Sequence, residues 1–388
     1  MVNYVFLSVY FYSVPNLRFR EFNEQLVYTS FGHIMKLYRG SSPRPIINYV
    51  TTDKSGLNWI KIGDMPSTGN RVFFCKERIN KEGSKKSRAV YKGDIILSNS
   101  MSFGKPYILE IDGFIHDGWF VIRDYQNYID KTYLCQLLSS DVVQKQYKST
   151  AAGGVVKNIS SDLVNSVKFH LPSIMEQRKI ARFLELIDQK IEVQIKIIND
   201  YKLLKKYITK SFIKQKGTSY LLSEIAELGR GRVISSAEIS KQKNPIYPVY
   251  SSQTSNNGVM GYLDNYDYEG EYITWTTDGA NAGTVYYRNG KFNCTNVCGI
   301  LKIKNGYDAY YISNILNCYT KKYVSTNLAN PKLMNNVMAN IKINLPSIER
   351  QKYFSNILKA IEYRVKIEQD IKLNLVKQKV FLLKNMFL

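Results

Sequence analysis

The stretch LPSIMEQRKIARFLELIDQKI, Leu171 to Ile191, returns near the other end of the chain as LPSIERQKYFSNILKAIEYRV, Leu345 to Val365. The copies stand 174 residues apart (345 − 171) and align without gaps. Pro172, Ser173 and Ile174 fall on Pro346, Ser347 and Ile348; Gln177 falls on Gln351, Leu184 on Leu358 and Ile187 on Ile361. In the first copy Ile180, Leu184, Ile187, Ile191, Ile198, Tyr201, Ile208 and Phe212 follow steps built from fours and threes. Phe354, Leu358, Ile361, Val365, Leu375, Leu382 and Met386 occupy the same frame in the second. Such steps line one seam of a helix. Pro172 and Pro346 suit a helix start, where a missing N–H costs nothing. Neither Gly nor Pro interrupts residues 173–215 or 347–388. Ile180 to Phe212 alone spans roughly 50 Å of helix.

A long helix with one apolar stripe cannot bury that stripe alone. Its own repeat is the economical partner, and the chain between the two is long enough for either orientation; two long amphipathic helices of coiled-coil type, set antiparallel, are expected. Both seams carry polar residues, Gln194 with Glu368 and Lys205 with Lys379. Polar seam positions fix register at some cost in stability. The remaining sequence forms two stretches rich in Gly, Asn, Ser, Thr and Tyr, with short β-like runs such as GDIILSNS (Gly93 to Ser100). In GTVYYRNGKFNC (Gly283 to Cys294) the Asn289-Gly290 pair predicts a hairpin turn. The expected architecture is α+β: two globular mixed α/β domains (1–171 and 217–345), each followed by a long helix (172–216 and 346–388), with pseudo-twofold duplication.

Of the 388 residues, 54 are Lys or Arg and 32 are Asp or Glu, giving a net charge of +22. That excess suits nucleic acid or another anionic partner. The opening residues are apolar from Tyr4 to Val14 and meet Pro15 after about a dozen residues, too few to span a bilayer and without a basic leader. A cytoplasmic protein with no membrane partner is expected. Cys75, Cys135, Cys294, Cys298 and Cys318 make no C-x-x-C pair, and the only histidines are His33, His116 and His170. Reduced buried thiols are expected, with no metal site.

Catalytic motifs are absent. No G-x-x-x-x-G-K-[ST] loop occurs. NPIY (Asn244 to Tyr247) lacks a second proline and follows no methyl-donor loop. GRGR (Gly229 to Arg232) has no helix signal after it, and no Ser or Cys stands with a histidine to build a triad.

Twofold symmetry on DNA usually mirrors two half-sites. Similar helices joined to dissimilar globules therefore describe a two-headed DNA reader whose helices hold the heads apart. LRFREF (Leu17 to Phe22), YRGSSPRPI (Tyr38 to Ile46), WIKIGDM (Trp59 to Met65) and KGDIILSNSMSFGKPYIL (Lys92 to Leu109) carry a more specific resemblance. They are joined by GRGRVIS (Gly229 to Ser235), YPVYSSQTSNNGVMGY (Tyr247 to Tyr262), TWTTDGANAGTVYYRNGKFNCTNVCG (Thr274 to Gly299) and both LPSI starts. Together they resemble the specificity (S) subunit of a type I restriction-modification system over nearly the whole chain. The segment before Pro15 departs from that pattern.

The resemblance implies a non-catalytic subunit that binds an asymmetric, bipartite double-stranded DNA target. It also implies two methyltransferase (M) subunits, with restriction (R) subunits joining through the complex. S-adenosylmethionine, ATP and Mg would sit on those partners, leaving no cofactor here. A stand-alone two-headed DNA-binding or nuclease-inhibitor module, and a coiled-coil adaptor for acidic proteins, are the alternatives; neither needs an M subunit.

Affinity for DNA comes from Lys and Arg on phosphates, and specificity from a few polar side chains on base edges. Candidates in the first domain are Arg39, Ser41, Ser42 and Arg44, then Lys61, Asn99, Ser100 and Lys105. In the second they are Arg230 and Arg232, the polar loop Ser251, Ser252, Gln253, Thr254, Asn256 and Asn257, and Thr277, Asp278, Asn281 and Lys332. Ser/Asn loops also arise simply as turns that satisfy their own backbone.

Overall fold

The computed structural model describes residues 14–66, 68–99, 104–151, 159–213, 215–325 and 330–388. The chain divides into two compact units, residues 1–196 with 369–388, and residues 197–368. The apolar opening run, apart from Val14, lies outside the described residues.

In the first unit the central sheet has five strands, ordered Lys36–Arg39, Trp119–Arg123, Ile95–Ser98, Pro106–Leu109 and Arg71–Val72. Neighbours are antiparallel except the last pair, which is parallel. Successive side chains of a strand point to opposite faces, and here both faces are buried. Ile95, Leu97, Phe120 and Ile122 pack towards the helix Lys131–Leu138, sharing a core with Tyr133, Leu134 and Leu137. Ile96, Val121, Trp119 and Tyr107 pack the other way, with Ile60, Val90 and Ile115. Those last residues belong to a second five-stranded sheet, ordered Val50–Thr51, Glu77–Ile79, Leu57–Ile60, Gly113–Ile115 and Arg88–Val90. Burial on both faces is why the strand sequences IILS and WFVIR are nearly continuous apolar runs.

In the second unit the sheet runs Ala226–Arg230, Cys298–Ile303, Tyr268–Thr276, Val285–Cys294, Tyr247–Tyr250 and Val259–Leu263. Its first five strands repeat the order of the first unit's central sheet, and again the pair in the fourth and fifth places is parallel. One face, with Ile273, Trp275, Val285 and Leu301, packs on the helix Ala309–Tyr319. Among the described residues no second sheet packs on the other face. Tyr250, Tyr268 and Tyr272 surround Phe292 at centroid distances of 5.4 to 5.6 Å.

The Asn289-Gly290 expectation fails. Both residues lie inside the strand Val285–Cys294, opposite Glu271 and Gly270 of the strand Tyr268–Thr276. Gly270 and Gly290 face each other with φ of 104° and 103°. The glycine therefore serves an irregularity within a long ladder, and the chain reverses instead through Asp278 to Gly283. A two-residue hairpin signal was overridden by pairing along the whole strand.

Each unit contains part of both long helices, Ile174–Ile213 and Ile348–Asn385. In the first unit Ile180 and Leu184 share a core with Met386 and Phe387, while Lys379 donates to Asp188. In the second unit Phe212 lies against Phe354 with centroids 3.5 Å apart, and Lys205 pairs with Glu362. Within each unit, residues rising along one helix meet residues falling along the other, so the segments run antiparallel. The seam residues Ile180, Leu184, Ile187, Ile198, Phe354, Leu358 and Ile361 are buried. Ile191, Val365 and Leu375 are half-buried.

The repeated glutamine explains the repeated LPSI start. Gln177 accepts from the Asp130 amide at 2.9 Å and donates to the Pro172 carbonyl at 2.9 Å. Gln351 accepts from the Asp308 amide at 3.0 Å and donates to the Pro346 carbonyl at 2.9 Å. Asp130 and Asp308 are themselves N-caps of the helices Lys131–Leu138 and Ala309–Tyr319. One side chain thus ties the long helix to the capped helix beneath the sheet, in both units. In front of each start lies a two-stranded ribbon: Val27–Ser30 with Lys168–Leu171, and Thr218–Leu221 with Lys342–Leu345.

Candidate nucleic-acid interface

The first strand of each sheet ends on the same dipeptide, Arg39-Gly40 and Arg230-Gly231. A Cβ on Gly40 would lie 2.0 Å from the His116 carbonyl oxygen, and one on Gly231 2.0 Å from that of Cys294. Only glycine permits that approach. In each case it presses the loop after the strand onto the turn that leads into the neighbouring strand.

In the first unit this brings four of the eight sequence-chosen residues onto one turn, His116-Asp117-Gly118. The Ser42 hydroxyl donates to the Asp117 carboxylate at 2.7 Å, and Arg44 Nη2 lies 3.3 Å from its other oxygen. Arg39 Nε and Asn99 Nδ2 donate to the Asp117 carbonyl at 3.3 and 2.9 Å. Ser41 instead donates to the Lys86 carbonyl at 3.0 Å. The Ser42 hydrogen bond, with help from His116 and Arg44, holds the Asp117 carboxyl below its ordinary value. Burial lowers the His116 imidazole. Arg44, 82% exposed, retains most of its donors for an external acceptor.

Lys61 and Lys105 stand apart from this cluster. Lys61 Nζ pairs with Glu77 at 2.5 Å. Lys105 lies over the Tyr107 ring at 5.0 Å, in a cleft of about 560 Å³ that also contains Gln136, Asp188 and Lys379. Burial and the nearby Lys379 lower its ammonium pKa. Ser100 lies outside the described residues.

In the second unit the chosen residues form two groups. The first lies at the ends of the strands Ala226–Arg230 and Tyr268–Thr276. Thr277 Oγ1 donates to Asp278 at 2.6 Å, Lys332 Nζ lies 3.6 Å from Asp278, and Arg230 Nε donates to Asn335 Oδ1 at 3.1 Å. Asn281 is exposed, and its carbonyl accepts from Thr284 Oγ1 at 2.8 Å. The second group is the loop of residues 251–257. Thr295 Oγ1 donates to Ser251 Oγ at 3.2 Å, Ser252 is half-buried, and the Gln253 amide donates to the Val259 carbonyl. Thr254, Asn256 and Asn257 are exposed. Arg232 is gripped by Glu238 at 2.7 Å and Asp267 at 3.1 Å, and these partners raise its pKa. It therefore faces the protein's own carboxylates, a competition the local sequence did not reveal.

Sequence reasoning missed Asp117, the residue on which the first cluster turns. It also missed Asn335, and Arg288 beneath the 251–257 loop. The signal for Asp117 was an Asp-Gly turn between two strands, common enough to pass as punctuation. Among the described residues, no group of three or more His, Cys, Asp or Glu side chains could hold a metal ion. Nor, among the described residues, is any helix long and apolar enough to cross a membrane.

Comparison with known proteins bears on what this surface meets. The type I restriction modification DNA specificity domain matches residues 34–200 and again residues 217–378. The chain is 36% identical over 217 residues to a Mycoplasma pneumoniae protein assigned as a type I specificity subunit, covering 54% of this chain and 80% of that one. It is 42% identical over 146 residues to the type I restriction enzyme MpnII specificity subunit of M. pneumoniae, covering 37% and 43%. Among solved structures, the S subunit of a type I restriction-modification system from M. genitalium superposes with a TM-score of 0.60 at 15% identity, covering 97% of this chain and 99% of that one. A chain from a type I R-M assembly superposes with a TM-score of 0.59 at 15% identity, covering 92% and 96%.

Proposed function

This chain belongs to the type I restriction-modification DNA specificity family, and from that premise we propose that it reads a bipartite DNA target through two unlike loop surfaces set on one repeated frame. The observation that carries this reading is the combination of sameness and difference. Strand order, glutamine clamp and Arg-Gly pair recur in both units, whereas the polar loops at the strand ends do not match. A duplicated binding protein for one symmetric site would have kept the loops alike.

The basic balance of +22 supplies the electrostatic part of DNA affinity. In this reading Arg44, Arg39 and Arg230 contact phosphates or guanine edges, and Asn256 and Asn257 contact adenine. The subunit performs no chemistry. Methylation falls to M subunits carrying S-adenosylmethionine, and cleavage to R subunits using ATP and Mg.

The partner surface follows from the helices. In the first unit Phe183, Leu186, Val193, Val380 and Phe381 are exposed, and in the second Leu203, Leu204, Tyr207, Tyr353 and Tyr363. These apolar side chains lie outside the buried seam, and in this reading the set in each unit receives one M subunit, two for one specificity chain. Co-expression with a methyltransferase subunit from the same source tests the whole reading. The expected result is a co-purifying complex that methylates one split motif in a random DNA library. A chain that purifies alone and shows no sequence preference overturns it.

A further inference from the structure

Arg288 lies in the middle of the strand Val285–Cys294 and is 4% exposed. Among the described residues it has no carboxylate partner. Its guanidinium carbon sits 3.5 Å from the centroid of Tyr250 and 4.4 Å from that of Tyr286. Nε donates to Thr274 Oγ1 at 3.1 Å and Nη2 donates to the Asn257 carbonyl at 2.9 Å. Burial lowers the guanidinium pKa, but arginine stays charged in proteins.

A buried cation without an anion is costly, and apolar residues of similar volume commonly serve stability as well or better. Two aromatic faces offset part of that cost. Stability alone is therefore a poor account of Arg288, and what its donors hold becomes the question. They hold the far end of the 251–257 loop. Asn256 and Asn257 adopt φ of 48° and 54°, a left-handed conformation that asparagine tolerates and that needs local support. A Cβ on the next residue, Gly258, would come within 3.1 Å of Arg288 Nη2. The loop closes through the Ser251 amide, which donates to the Gly258 carbonyl at 2.9 Å. Arg288 thus holds the loop through the Asn257 carbonyl, while Asn256 and Asn257 remain exposed.

We propose that Arg288 is a positioning residue for specificity: it fixes the left-handed Asn256-Asn257 pair so that the pair reads base edges in one half of the DNA target. This rests on the DNA-reading function proposed above. Asparagine recognises adenine through two hydrogen bonds in a fixed plane, so a loop free to tilt keeps contact but loses discrimination.

The test uses the full chain in complex with its methyltransferase partner, with methylation scored on a library randomised at every position of the target. Variants are R288M, R288K and T274V, the last removing one anchor of the guanidinium while leaving the charge. R288M should lower discrimination roughly 10-fold or more at one or two positions of a single half-site. The other half-site should be unchanged. R288K should restore part of the lost discrimination, and T274V should affect the same positions less. If R288M does not fold, R288K and T274V decide, since each keeps a cation in the pocket. Full discrimination in the folded variants, or a uniform fall in activity across all sequences, overturns the inference while leaving the proposed function intact. No selectivity in the unaltered complex overturns the proposed function itself.

Discussion

The two units solve the same problem with different material. Each builds five strands in one order, packs one face on a capped helix and must cover the other. The first covers it with a second sheet, filling the space with Ile60, Val90 and Ile115. The second covers it with tyrosines around Phe292 and with Arg288. The frame is constrained by the long helices and the glutamine clamp, and the covering is not. The side that varies also carries the polar loops, so one scaffold can bear two specificities.

The largest test of the shared frame is at its seam. Leu184 and Leu358 occupy equivalent places, and each is fully buried. Leu184→Ala and Leu358→Ala should each cost about 2–5 kcal/mol, read from urea unfolding of the unit concerned. Agreement within about 1 kcal/mol supports equivalent frames, whereas a negligible cost in one would break the comparison. Next come Gln177→Leu and Gln351→Leu, which leave an amide and a carbonyl unsatisfied in each unit. Each should cost about 1–3 kcal/mol, again as a pair.

Most of this frame was legible in the sequence. The repeat, its four-and-three steps and its prolines anticipated both helices, and Gln177 and Gln351 stood out as matched residues before their partners were known. The candidate interface was less legible, because its organising residues are polar groups facing inward. Asp117 collects Ser42, Arg44, Arg39 and Asn99 from segments far apart in sequence, which no local pattern encodes. Arg288 sits in an alternating strand where a basic residue reads as solvent-facing. Its burial arises where Tyr250, Tyr286 and the 251–257 loop close over it. The Asn289-Gly290 pair misled for a related reason, since the length of strand pairing outweighed a local turn preference.

Smaller effects distinguish the two surfaces. Arg44 is largely free of the protein, while Arg232 is held by two carboxylates. Arg44→Ala should lower the salt slope of DNA binding by about 1, whereas Arg232→Ala should leave it unchanged. Equal slopes for both variants would remove the contrast. The smallest expected effect is a pH response at Asp117. Its folded carboxyl lies below the ordinary value, chiefly through Ser42. Its contribution is therefore present above the unfolded pKa of about 4 and is lost as pH falls through the folded value. Amide exchange at Asp117, whose N–H donates to Ser42 Oγ at 3.3 Å, should quicken in that acid range beyond the intrinsic pH dependence. With the carboxylate 44% exposed, solvent screens the effect and it should be slight.

The central claim is that the two loop surfaces read independently on a common frame. Its most direct measurement is the methylated motif of a hybrid in which residues 1–171 come from a second member of the family, assembled with the same methyltransferase partner. The account predicts that one half of the motif changes to that of the donor and the other half is retained. A motif in which both halves change together, or in which neither changes, would contradict it.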